Sequence, residues 1–361
     1  MRRLTGALKQ AIRRVVRGTL SVGPVRRLVE SELKRSSRTA APVVAALPTF
    51  TDRRGVEHRL DPQLRDKLKP NWRVMCDPAT AAAPPDDEAL LGRIRKAEKS
   101  VLEVERILAL AGGAGVTGRI LEVGCYDGSA AYELSRRPGT SLVGSDLARY
   151  YVVQRPGEPE SDAIEAEVGS LARLRERVRV MADRPEGCVA FVEDDITAST
   201  LDPGSFDLIV SFEVLEHLQR PRDAFQAMAR VLRPGGLLYH DYNPFFSVNG
   251  GHSLVTLDLP WGHARFDADD VERYLRQIRP TEADQALRFY CENLNRMTLA
   301  DLRDAITGAG LETVAIIPWY QRNLLSDASP QVLDEVRASY PTVTPDDLLA
   351  TFVAVVARRP A

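Results

Sequence analysis

The sequence predicts an α/β protein built on a doubly wound, seven-stranded sheet, with a helical extension before it and an insertion after its fifth strand. Three observations predict this. Short apolar runs alternate with helical segments from residue 87 onward: RILEV (119–123), SLVGSD (141–146), VAFVEDD (189–195), FDLIVSF (206–212) and GGLLYHD (235–241), then LETVAIIPW (311–319) and LLATFVAVVA (348–357). Strands separated by helices imply βαβ units and a parallel sheet with right-handed crossovers. Residues 245–297 interrupt that rhythm with aromatic and Gly-rich stretches, which read as an insertion. Finally, residues 1–40 hold 11 Lys/Arg against Glu30 and Glu32, whereas the 361-residue chain has net charge −2. That leaves the remainder near −11 and marks the N-terminus as an appendage with its own partner.

Within that appendage, Leu4, Leu8, Ile12, Val15, Val16 and Leu20 recur at helical spacing among arginines. Residues 1–35 therefore read as a basic amphipathic segment. Its stripe suits an anionic membrane surface, or packing on the domain or on a second subunit. Residues 36–86 are Pro/Ala-rich and read as a linker or accessory region. The main domain is expected over 87–361. It opens with a long helix capped by Asp86 or Asp87, whose stripe is Leu90, Leu91, Ile94, Val101, Val104 and Leu108, and which closes at Gly112 and Gly113.

Composition narrows the class. An apolar fraction of 44% and a charged fraction of 27% fit an ordinary soluble domain. No stretch reaches the roughly 18–20 apolar residues of a membrane span. Cys76, Cys125, Cys188 and Cys291 form no CxxC pair, which fits a reducing compartment. The expected location is the cytoplasm, at the membrane's inner face if residues 1–35 bind there.

The stretch LEVGCYDG (121–128) places Gly124 and Gly128 between the first strand and its helix. Glycine there lets backbone N–H groups approach a ligand at the helix N-terminus. Tyr126 and Ser129 occupy the second and third places of a G-x-G-x-x-G pattern, which argues against a nicotinamide dinucleotide. Asp146 ends the second strand, where a carboxylate can accept both ribose hydroxyls. Asp195 ends the third, placed to meet an adenine amino group.

With those residues in view, the segment from about 87 to 243 resembles a class I S-adenosylmethionine-dependent methyltransferase, a Rossmann-like fold. The resemblance rests on LEVGCYDG, GSDLA (144–148), VEDDI (192–196), SFDLIVSFEVLEHL (205–218) and RVLRPGGLL (230–238). It implies S-adenosyl-L-methionine as cofactor, with Glu122, Gly124 and Gly128 framing its methionine part, Asp146 holding the ribose, and Asp195 with Ile196 flanking the adenine. Tyr126, standing where the family usually has glycine, and Ser211 are counted with the cofactor contacts.

Methyl transfer to a hydroxyl also requires loss of a proton, to a base or beside a metal. EVLEH offers Glu213, Glu216 and His217, which share a face if a helix starts there. That cluster could hold Mg²⁺, and it is similar to the E-x-x-E-H of ubiquinone-pathway O-methyltransferases; packing of His217 near the cofactor is the alternative. His252 and His263, in the insertion, are the expected acceptor-side bases beside His217. YNPFF (242–246) evokes enzymes that methylate nucleic-acid amines, but here it follows the fifth strand rather than the fourth, and no lysine occurs after Lys99. A nucleic-acid partner is therefore not expected. The expected acceptor is a small molecule or glycan, a saccharide or lipid-linked glycan first, resting on Trp261, Phe266, Tyr274, Phe289 and Tyr290, with Trp319 beside them. A quinone-like or polyketide phenol, or a non-catalytic binding protein, are the alternatives. Oligomeric state is not legible.

Overall fold

All seven apolar runs become strands of one sheet. The structure is a computed structural model that describes residues 47–69, 72–76, 84–113, 115–153, 161–321, 324–325 and 327–361. The chain divides into two compact units, Met1–Thr49 and Phe50–Ala361, and the sheet lies in the second. The basic segment 1–35 falls outside the described residues, so its membrane and partner expectations stay with the sequence.

In chain order the elements are β1 (Thr49–Thr51), β2 (Glu57–Arg59), α1 (Leu64–Leu68), α2 (Trp72–Cys76), α3 (Asp87–Leu110), β3 (Gly118–Val123), α4 (Ser129–Leu134), β4 (Thr140–Asp146), α5 (Ala148–Val153), α6 (Ser161–Met181) and β5 (Val189–Glu193). Then follow β6 (Phe206–Phe212), α7 (Pro221–Val231), β7 (Leu232–Tyr242), α8 (Gly262–Arg265), α9 (Ala268–Ile278), α10 (Ala283–Glu292), α11 (Leu299–Gly308), β8 (Glu312–Tyr320), α12 (Pro330–Arg337), α13 (Pro345–Leu349) and β9 (Ala350–Arg358). The sheet order is β5-β4-β3-β6-β7-β9-β8. Strands β3 to β7 pair in parallel, and β9 runs antiparallel to both β7 and β8. The reversal differs from the all-parallel expectation and has a local cause. Tyr320, the last residue of β8, pairs with Ala350, the first of β9, so the excursion 321–349 returns at the same end of the sheet and needs no crossover.

Successive side chains of a strand point to opposite faces, and both faces are covered here. Ile120 and Leu208 pack with Leu90, Val101 and Leu108 of α3, while Leu121 and Ile209 pack with Phe225 and Met228 of α7. Asp86 caps α3 by accepting the Ala89 N–H at 2.8 Å. Leu91 departs from the expected stripe and is 42% exposed. It follows Leu90 by about 100° of helical turn, which carries it off the buried face.

A second core stands beside the sheet. The insertion does not fold alone: Phe245, Trp261, Phe266 and Phe289 bury against Phe50 and Leu60 from before α3 and against Val336 of α12. The part of 36–86 that is described therefore supplies β1, β2, α1 and α2, with side chains in this core. Trp261 is fully buried, and its indole N–H donates to the Leu348 carbonyl at 3.0 Å, which satisfies the polar edge of a large apolar ring.

Candidate functional site

The register brings the carboxyl ends of four strands level: Val123 pairs with Ser145, Asp146 with Glu193, and β6 ends at Phe212 beside β3. Between β3 and β6 the strand order reverses, which is where doubly wound sheets open a crevice. A cavity of about 470 Å³ lies there, walled by Gly124, Tyr126, Asp146, Asp195, Ile196, Glu213 and His217 among others.

Gly124 is required by geometry. Its φ is +71°, and a Cβ there would sit 2.5 Å from Val214 Cγ2, so only glycine lets the loop after β3 meet the turn after β6. Gly128 has φ +76°, but its missing Cβ would meet Phe191 at 2.8 Å. Its role is packing at the start of α4, and it is absent from the cavity wall.

Asp146 is the most heavily bonded group in the cavity. Its Oδ1 accepts the Leu147 N–H at 2.7 Å, and its Oδ2 accepts the Tyr126 N–H and, at 2.9 Å, the Tyr151 O–H. Arg175 stands 3.9 Å from the same Oδ2 and donates to the Tyr126 carbonyl at 2.8 Å. Burial pushes the Asp146 carboxyl up, against the pull of these donors. Tyr126 itself takes φ +42° and lines the cavity, its ring 4.9 Å from that of Tyr151.

Asp195 Oδ1 caps the turn Ile196–Ala198 through the Thr197 N–H and hydroxyl, at 2.8 and 2.7 Å. Arg220, also in the wall, reaches the same Thr197 hydroxyl at 2.7 Å. Glu122 is outside the wall. Burial drives its carboxyl well above the usual range, with the Asp127 and Asp146 charges adding to it, and its Oε2 has no partner. Ser211 is fully buried and hydrogen-bonds His240 Nδ1 at 2.5 Å, so it too lies away from the cavity.

The EVLEH segment is not an α-helix. Glu213 has φ +55°, and Leu215–His217 forms a single 3₁₀ turn, so the shared face expected from i, i+3, i+4 spacing does not arise. Glu213 and Glu216 share Asn243, while His217 turns to a different partner. Glu213 pairs with Lys96 and with Asn243 Nδ2 at 3.2 Å. Burial raises its carboxyl, but the Lys96 ammonium outweighs this and holds it below the usual range. Glu216 is 2% exposed and accepts the Asn243 N–H at 3.1 Å. Burial pushes its carboxyl to about 8, and the Glu213 charge adds to it. His217 Nδ1 lies 2.8 Å from the Asn293 carbonyl, and burial lowers this ring to about 4. Among the described residues, no three His, Cys, Asp or Glu side chains are grouped to hold a metal ion.

Of the other two histidines expected as bases, His263 is fully exposed to nothing but the second core: it is 0% solvent-accessible and bonds the Phe245 carbonyl at 2.7 Å through Nε2. It lies in α8 and is absent from the cavity wall. His252 stacks on Phe289 at 4.0 Å between ring centres, accepts the Leu254 N–H at Nδ1, and stands 6.3 Å from the His217 ring without reaching the cavity wall. Trp261, Phe266, Tyr274, Phe289 and Tyr290 are each 3% exposed or less, so they form no open platform for an acceptor. Phe245 and Phe246 of YNPFF are buried there as well, and Asn243 is turned toward Glu213 and Glu216.

A family described as a methyltransferase domain matches residues 91–316, more than half of the chain. The chain belongs to the methyltransferase-domain family. This methyltransferase is similar to the ubiquinone biosynthesis O-methyltransferase of Paracidovorax citrulli, 26% identical over 175 residues, covering 47% of this chain and 61% of that protein. It is also similar to the protein of the same description from Alkalilimnicola ehrlichii, 31% identical over 182 residues, with coverages of 48% and 60%. The chain thus spans less than two thirds of either relative. Among solved structures, the Haemonchus contortus phosphoethanolamine N-methyltransferase 2 in complex with S-adenosyl-L-methionine is 15% identical at a TM-score of 0.40, covering 73% of this chain and 53% of that one.

S-adenosylmethionine fits the residues of this methyltransferase site. The cavity presents a buried carboxylate at Asp146 and an apolar floor from Val123 and Ile196, and Glu122, behind the wall, keeps an unpartnered carboxyl oxygen. Sequence reasoning missed Tyr150, Tyr151 and Arg220. The first two follow Asp146 within five residues and the third lies two residues after VLEHL, so their signal was proximity to motifs already read.

Proposed function

We propose that the protein transfers a methyl group from S-adenosylmethionine to a hydroxyl of an aromatic acceptor of the phenol or hydroquinone type. One observation carries this reading: His217 lines the cavity with its Nδ1 committed to the Asn293 carbonyl. A carbonyl can only accept, so Nδ1 holds the proton and Nε2 keeps a lone pair. Burial lowers this ring to about 4, so Nε2 is unprotonated at physiological pH.

The cofactor supplies an activated methyl on a sulfonium. The chain's residues do the rest. Asp146 and Asp195 would hold the nucleoside end and fix the methyl's direction, since in-line displacement depends on alignment. His217 Nε2 takes the acceptor's hydroxyl proton as the oxygen–methyl bond forms. Glu213, whose charge favours protonated His217, stabilises the imidazolium that results. Tyr150, 5.3 Å from the His217 ring and also in the wall, offers a flat apolar surface beside the base. That pairing supports an aromatic acceptor, as do the descriptions of the O-methyltransferases the chain resembles. The glycan reading loses the aromatic surface it relied on, because those five rings are core residues.

The test is direct. The purified protein is incubated with S-adenosylmethionine and, separately, catechols, hydroquinones, amines and oligosaccharides, and products are read by mass spectrometry. Methylated catechol or hydroquinone oxygen supports the reading. Methylation of oligosaccharides or amines with the phenols untouched overturns it.

A further inference from the structure

Asp146 is nearly out of hydrogen-bonding capacity. A carboxylate offers about four lone-pair sites. Oδ2 has both of its sites taken, by the Tyr126 N–H and the Tyr151 O–H, and Oδ1 has one taken by the Leu147 N–H. A ribose diol gripped by this carboxylate needs two acceptor sites, one on each oxygen, and one remains. Two of the three donors are backbone amides of the loop after β3 and of the start of α5, fixed by the fold. Tyr151 is the only side chain among them, and the only one that can leave by rotation.

Its surroundings make this a built arrangement. The Tyr151 ring packs on Tyr126 at 4.9 Å and on Tyr150 at 5.3 Å, and all three line the cavity. Tyr126, where the resemblance calls for glycine, is pinned in turn by Arg93, 5.1 Å above its ring, and by Arg175 at its carbonyl. A glycine at 126 would leave the Tyr151 ring without this neighbour. Tyr126 and Tyr151 thus act as a pair, one bracing the ring whose hydroxyl holds the carboxylate.

We propose that the Tyr151 hydroxyl competes with the cofactor's ribose for Asp146 Oδ2, so that cofactor binding requires Tyr151 to swing off the carboxylate. This rests on the assignment of Asp146 to the ribose. Affinity for the cofactor is then set by an internal competitor. It keeps Asp146 bonded whenever the ribose is not, and it makes the position of α5 responsive to occupancy of the cavity.

Calorimetric titration of S-adenosylhomocysteine separates the two claims. It is carried out on the full chain, on Tyr151→Phe, on Asp146→Asn and on the double variant, each checked by thermal melting. Tyr151→Phe should bind roughly three- to tenfold more tightly, the scale of one net hydrogen bond released from competition. In the Asp146→Asn background the same substitution should change affinity little. Tyr151→Phe that binds equally or more weakly overturns the competition while leaving the ribose assignment standing, provided Asp146→Asn still weakens binding. A gain of equal size in both backgrounds also overturns it, since the effect then belongs to the ring rather than to Asp146. Unchanged affinity in Asp146→Asn removes the ribose assignment and the competition together. Should Asp146→Asn fail to fold, Asp146→Ser serves in its place.

Discussion

His217 Nδ1 lies 2.8 Å from the backbone carbonyl oxygen of Asn293, 76 residues further along the chain. The bond joins the turn after β6 to the end of α10, and it fixes which ring nitrogen carries the proton. The neighbouring Asn295 side chain strengthens the same junction by donating to the Leu215 carbonyl at 2.6 Å. The cavity's candidate base is therefore oriented by the insertion, not by its own segment.

Replacing that base should slow chemistry more than binding. His217→Gln is expected to lower kcat by roughly 10² to 10⁴, the usual worth of a positioned general base. The loss should shrink for an acidic nitrocatechol, which is already ionised at neutral pH. An equal loss with both acceptors would assign His217 a structural role.

Stability should depend on pH through Glu216. Its carboxyl titrates near 8 in the folded chain against an ordinary value of 4.5. The folded state thus binds the proton more tightly, and its contribution is complete below about pH 4.5 and declines as pH rises toward 8. Within that window the slope from this group approaches about 1.4 kcal/mol per pH unit. Urea denaturation at pH 5, 6, 7 and 8 should show the decline, and Glu216→Gln should flatten it. A wild-type slope that persists in Glu216→Gln would assign the effect to another group, with Asp241, pushed up to about 7 by burial, the next to test.

Below neutrality the buried histidines act in the opposite sense. Burial holds His217 near 4 and both His240 and His263 near 3, against 6.5 for an exposed ring. Each contributes stability that is present above about pH 6.5 and lost as pH falls through its folded value. Acid unfolding should accordingly begin well above pH 3 and shift downward in His263→Phe if the Phe245 carbonyl can be rehydrated. No shift in that variant would mean His263 is not what limits acid stability.

Chelation tests the arrangement of the EVLEH residues. Because Glu213 is bound to Lys96, Glu216 to Asn243 and His217 to Asn293, turnover on a phenolic acceptor is expected to survive EDTA. Activity that disappears with EDTA and returns with Mg²⁺ would show that these three side chains rearrange around a cation.

Gly124→Ala probes the approach of two loops. The positive φ costs an alanine roughly 1–2 kcal/mol, and the added methyl meets Val214 Cγ2 at 2.5 Å. The melting temperature should fall and S-adenosylhomocysteine affinity with it. Val214→Ala in the same chain should restore part of the stability, by removing the clash but not the strain. An unperturbed Gly124→Ala would mean the loop can open without cost.

By itself the sequence determined the seven strands of the sheet and brought five of the expected cofactor contacts to the cavity wall. The seven runs are local, and the motifs at their ends follow the strands directly, so Gly124, Tyr126, Asp146, Asp195 and Ile196 could be placed at the strand ends by counting along the chain, and all five line the cavity. Spacing failed where the backbone departed from an assumed helix: the left-handed Glu213 turned EVLEH into a single 3₁₀ turn, with Glu213 and Glu216 gathered on Asn243 and His217 turned to Asn293. It failed again where contacts are distant in sequence. Whether an aromatic ring or a histidine faces a ligand or a core depends on which remote segments cover it: Trp261 is covered by elements from both ends of the domain, and His263 is held by the Phe245 carbonyl. The tautomer of His217, the bond from Tyr151 to Asp146 and the second core were decided only in three dimensions, because hydrogen bonds and burial between residues tens of positions apart leave no period in the sequence to read.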